Sequence, residues 1–60
     1  MLEVIDSVPA HTLEVSDIIL HNGSHVEIVE VSDLITTVYV VTENDDELQF
    51  VDAELVDIYG

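Results

Sequence analysis

The sequence predicts an all-β protein, a small closed or nearly closed barrel of five or six short strands with at most one 3-10 turn. Three observations carry this. Apolar residues come in short β-branched runs at two-residue alternation, separated by polar breaks, and there is neither a heptad nor a helical stretch of useful length. An Asn22-Gly23 dipeptide lies between two such runs, and both residue types tolerate the positive φ that a tight hairpin demands. Sixty residues make one domain with one small core, and closing the sheet removes the edges that a Val-rich ladder would otherwise expose.

In chain order, "LEVI" (2–5) reads as the first strand and "SDIIL" (16–20) as the second. The Asn22-Gly23 turn leads into "HVEIVEV" (25–31). There Val26 and Ile28 share one face and Val29 and Val31 fall out of phase with them, the slip that a β-bulge or sharp bend produces. "LITTVYVVT" (34–42) is the longest run, turning through Asn44–Asp46 into "ELQFV" (47–51). "DAE" (52–54) is expected to form the single 3-10 turn, and "LVDIY" (55–59) closes the chain.

The run "HTLEVSDIILHNGSHVEIVEV" (11–31), followed by "VYVVTENDDELQFV", resembles a pattern of small SH3-like barrel proteins of actinobacteria and their phages: L-x-x-G-D-x-I, turn, V-x-x-V, then V-x-V-x-T-x-D-G. The resemblance covers most of the chain and rests on core and turn residues. It implies residues 1–60 as a single acidic SH3-like barrel and implies no chemistry. Ser16 stands where that pattern usually has glycine, and Asp46 where it has another, so the turns are expected to differ there.

The charge is the unusual property. Fourteen Asp and Glu face no Lys or Arg, a formal net of −14, where ordinary composition would supply about six or seven cations in this length. Apolar residues at 48% nonetheless exclude a disordered composition. The lack of cysteine removes disulfides and thiolate zinc sites. No apolar run approaches the ~20 residues of a membrane span, and "MLEVIDSVPA" carries no positive segment, so a complete, soluble, cytoplasmic protein with no membrane partner is expected.

Catalysis is not expected. Ser7, Ser16, Ser24 and Ser32 lie in no nucleophile elbow, His11, His21 and His25 in no triad context, and no cation is present to stabilise an oxyanion. His21 and His25 in "HNGSH" could face each other across the hairpin and bind Zn²⁺ with a carboxylate; as ordinary turn residues they need no ligand, and this is the preferred account. "ENDDE" (43–47) offers the oxygens that Ca²⁺ prefers but fails the EF-hand template, and Asn and Asp serve equally as turn residues. No cofactor or metal is therefore assigned. Of the three aromatics, Phe50 alternates with Leu48 as core, while Tyr39 and Tyr59 pack at a rim or anchor an interface.

Direct nucleic-acid binding is excluded, because phosphate contacts need Lys or Arg. Solubility, salt adaptation and recognition of a basic partner remain as reasons for the acidity. Surface scaling gives a folded chain of 6.7 kDa about 3,900 Å², or roughly 280 Å² per acid if spread evenly. Duplex DNA, taken as a cylinder of about 10 Å radius, has one charge per roughly 110 Å². Imitating it therefore requires clustering. Glu43, Asp45, Asp46, Glu47, Asp52, Glu54 and Asp57, seven of the fourteen, fall in the last eighteen residues and are the expected partner-binding set.

The function this points to is an acidic protein-interaction module that binds a basic surface of a partner protein, such as a nucleic-acid-binding protein, in the manner of a phage-type inhibitor, adaptor or DNA mimic. The alternative is a small structural subunit that forms a homo-oligomer, its acidity serving solubility alone. Either way, folding compacts like charges that no lysine or arginine offsets, so added salt is expected to raise the melting temperature; a melt followed by circular dichroism that is flat in salt would contradict this.

Overall fold

The computed structural model describes all sixty residues, Met1–Gly60. Six strands are present: β1 (Val4–Pro9), β2 (Ile18–His21), β3 (Ser24–Asp33), β4 (Thr37–Thr42), β5 (Glu47–Val51) and β6 (Leu55–Tyr59). They form one antiparallel sheet in the order β1-β6-β2-β3-β4-β5, with no α-helix. The all-β expectation holds, and β5 and β6 start and end where the sequence places them.

The ladder does not close into a barrel: β1 and β5 lie at its two ends and do not pair with each other. Pro9, the last residue of β1, has no N–H to continue a ladder, and a 3-10 turn over Ala10–Thr12 then swings the chain away. Two single bonds tie that turn to the β5–β6 connection, from Ala10 N–H to the Glu54 carbonyl (2.8 Å) and from His11 N–H to the Asp52 carbonyl (3.0 Å). The 3-10 turn expected at 52–54 is thus found at Ala10–Thr12, where the Thr12 hydroxyl bonds back to the Pro9 carbonyl at 2.7 Å. Val51–Glu54 is instead a four-residue turn closed by Glu54 N–H to the Val51 carbonyl at 3.0 Å.

β3 explains how one sheet encloses a core. Its first half pairs with β2, from Ile18↔Glu27 to His21↔Ser24, and its second half pairs with β4, from Ile28↔Thr42 to Asp33↔Val38. The register shifts between Ile28 and Glu30, leaving Val29 as the bulged residue, as the out-of-phase apolar pattern predicts.

A second irregularity faces the same point. Glu14–Asp17 form a turn closed by Asp17 N–H to the Glu14 carbonyl (3.2 Å), with Ser16 at φ 83°. Ser16 N–H donates to the Ile28 carbonyl (2.8 Å) and Ile28 N–H to the Asp17 carbonyl (2.9 Å), so two residues oppose one, a bulge whose first position favours glycine. The Asp17 Oδ2 accepts Glu14 N–H at 2.9 Å and braces the turn.

The hairpins follow local chemistry. Asn22 (φ 50°) and Gly23 (φ 78°) make a two-residue turn with positive φ at both positions. The β4–β5 loop places Asp45, rather than Asp46, in the left-handed region (φ 64°), closing a three-residue turn through Asp45 N–H to the Thr42 carbonyl and Thr42 N–H to the Asp46 carbonyl, both 2.9 Å. The run 34–42 is strand only from Thr37: Leu34 and Thr37 exchange both backbone bonds, at 2.8 and 3.2 Å, around a tight Ile35-Thr36 loop between β3 and β4.

Eight residues form the core: Ala10, Leu13, Ile19, Val26, Ile28, Val38, Val40 and Val56, with Val8, Val31, Leu48, Phe50 and Ile58 packed against it. They come from both halves of the folded sheet and from the 3-10 segment, so the core lies between the halves. Phe50 packs as the alternation implies.

Two predictions follow from these contacts. Ser16→Gly, which relieves a left-handed non-glycine residue, is expected to stabilise by about 1 kcal/mol and Asp17→Ala to destabilise by about as much, read as shifts in thermal midpoint of roughly 4–8 °C in opposite directions. Ile28→Val is expected to cost about 0.5–1.5 kcal/mol and Ile28→Ala about 2–5. The latter removes about half of a margin of about 3–9 kcal/mol for a chain of sixty residues, so denaturant titration should find the unfolding midpoint of Ile28→Ala lowered by about half.

Candidate functional site

The predicted acidic set divides in two. Glu43, Asp45, Asp46 and Glu47 crowd the exposed tip of the β4–β5 hairpin. Asp52 and Glu54 lie at the far end of β5, about 17 Å along an extended five-residue strand, beside Thr36 and the 3-10 turn. Asp57 lies on β6 opposite Ser7 of β1, whose hydroxyl donates to its Oδ1. The sheet order places β6 away from β5, so the last hairpin and the terminal strand are not neighbours.

At the tip, the backbone brings in a residue that the sequence pattern does not single out. Glu43 N–H donates to the Glu27 carbonyl (2.9 Å), and Glu43 Oε1 accepts Glu27 N–H (3.2 Å), which fixes the tip against β3. Thr42, the one buried polar residue, accepts Asn44 N–H on its hydroxyl at 3.3 Å and stiffens the same loop. Asp45, Asp46 and Glu47 spend no side-chain oxygen on a hydrogen bond within the protein, and the one imidazole near them, His21, has its Nε2 3.8 Å from Asp46 Oδ2, an ion pair only when the ring carries a proton.

His21 and His25 do not face each other. The two-residue turn pairs His21 with Ser24 and His25 with Leu20, so alternation puts the two rings on opposite faces. His21 turns toward Asp46, whereas His25 meets the Tyr59 ring edge-on at 4.6 Å. No group of three or more His, Asp or Glu side chains is placed to hold a metal ion, at "HNGSH" or at the tip. No helix is long and apolar enough to cross a membrane.

Next to the tip, the outer face of β3, β4 and β5 carries an open groove of about 450 Å³ lined by Glu30, Ser32, Leu34, Tyr39, Val41 and Glu47. Register explains its make-up: Val41 is flanked by Glu30 on β3 and Glu47 on β5, and Tyr39 by Ser32 and Gln49. Glu30 was invisible to simple alternation, because only the bulge at Val29 decides which way it points. A smaller cavity of about 230 Å³ lies among Ile19, Leu20, Phe50, Leu55 and Tyr59.

The chain matches no protein-family model, no curated protein and no solved structure. Its functional account therefore rests on its own residues.

Proposed function

We propose that this chain is an acidic protein-interaction module, built on a partly open SH3-like barrel, that docks its β4–β5 tip on a basic surface of a partner protein. The observation that carries the reading is a set of carboxylates with no lysine or arginine in the chain to neutralise them. Fourteen acids share 3903 Å² of surface, about 279 Å² each, yet Glu43, Asp45, Asp46 and Glu47 occupy one hairpin tip. The bulged strand shared between two ladders, the single 3-10 turn and the left-handed Ser16 at the family's glycine position support the SH3-like part.

A compact tip, with Asp52 and Glu54 a strand's length away, fits a local basic patch better than a long groove built for a duplex. A nucleic-acid-binding protein offers lysine and arginine patches of that size, and on it the tip would act as an inhibitor or adaptor by covering part of the site. Electrostatic attraction of this kind speeds encounter and weakens with salt.

Self-association is the second reading, and exposed apolar side chains favour it: Ile5, Leu20, Ile35, Val51 and Leu55 are all half or more exposed. Size-exclusion chromatography with light scattering, with and without a lysine- and arginine-rich DNA-binding protein, separates the two. The module reading expects a monomer near 6.7 kDa and a complex lost at high salt. Glu43→Gln, Asp45→Asn, Asp46→Asn and Glu47→Gln together are expected to weaken that complex about 10- to 100-fold, from roughly 0.4–0.7 kcal/mol per exposed charge. A salt-indifferent oligomer that ignores the basic protein would favour the structural subunit.

A further inference from the structure

We infer that the groove on the outer face of β3, β4 and β5 receives an arginine side chain of the basic partner; the inference rests on the interaction reading above. Tyr39 and Val41 form an aromatic and aliphatic floor, and Glu30 and Glu47 stand on the two strands flanking Val41. Strands about 4.8 Å apart place these two carboxylate-bearing positions roughly 10 Å from each other, one on each side of the floor. Neither carboxylate accepts a hydrogen bond from the protein's own side chains or amides, and neither lies in an ion pair. The molecule contains no lysine or arginine that could fold over to reach them.

The occupant follows from charge and shape together. A guanidinium is planar, stacks on an aromatic face and carries five donors in a fork, so it can lie on Tyr39 while bonding to a carboxylate at its edge. An ammonium is a compact, strongly hydrated charge that uses a flat aromatic floor less well. The aliphatic stem of arginine finds Leu34 and Val41 along the same groove. The volume, about 450 Å³, lies within the range of about 300–1,000 Å³ typical of small-ligand clefts. Glu47 ends the acidic tip and begins β5, so the tip that attracts a basic segment runs directly into the groove that would hold its side chain.

The test titrates the intact protein at low salt with two short peptides of equal charge, one alternating glycine with arginine and the other glycine with lysine. Affinity is read by calorimetry and the Tyr39 ring by NMR. The arginine peptide is expected to bind about three- to tenfold tighter and to shift the Tyr39 ring resonances. Tyr39→Leu, and separately Glu30→Gln with Glu47→Gln, should abolish that preference, whereas Glu43→Gln with Asp45→Asn should weaken both peptides alike and leave it intact. Equal binding of the two peptides, or shifts confined to the tip, would overturn the groove and leave the interaction reading standing. Failure of both peptides to bind would overturn both. Far-UV circular dichroism of each variant shows whether a lost preference reflects a lost fold.

Discussion

At Ile28 the backbone of β3 is still bonded to the segment leading into β2, while one residue earlier the Glu27 carbonyl already accepts the amide of Glu43 at the β4–β5 tip. The two ladders therefore overlap at this point, and the fully buried Ile28 side chain sits in the core between them. The bulge at Val29, the Ser16–Asp17 bulge that faces it and the placement of the acidic tip against β3 all depend on this short overlap. A chain with an eight-residue core has little else with which to hold two half-sheets face to face.

The carboxylates show how a protein without lysine or arginine uses acids inside its own structure. Asp17, Glu43 and Glu54, at turns, accept backbone amides; Asp6 accepts the Ser7 amide beside the register shift in β1, and Asp57 accepts the Ser7 hydroxyl. A charged acceptor on an amide makes a stronger hydrogen bond than a neutral one and needs no cation. These acids thus serve the fold as acceptors, Glu43 through one oxygen while it stays at the exposed tip; Asp45, Glu47 and Glu30 make no such bond, and their side chains are left to solvent or to a partner.

Strand identity was legible wherever punctuation was strong. Asn22-Gly23 set the β2–β3 register, and the same turn, counted through to its partners, already implied that His25 would oppose Leu20 and turn away from His21. The Ile35-Thr36 loop has no signature in the sequence, because two β-branched residues are not turn formers, and only the paired bonds of Leu34 and Thr37 reveal it. The need to hide edges argues for a closed barrel, but Pro9 and the 3-10 turn bridge the open side with two bonds instead of a ladder. For the surface, the crowding at 43–47 was plain from the sequence. Its separation from Asp52 and Glu54 depended on reading "ELQFV" as a spacer, and Glu30 depended on a one-residue bulge that shifts its orientation.

The apolar side chains left outside this small core set the sign of a colloidal trade-off. Leu20, Leu55 and Ile35 would attract a second copy, while like charge on every copy holds such encounters off at low ionic strength. Counterions that relieve crowding within one molecule lower that barrier between molecules as well. Salt that favours the folded molecule would thus disfavour its dispersal, since one repulsion opposes both compaction and association.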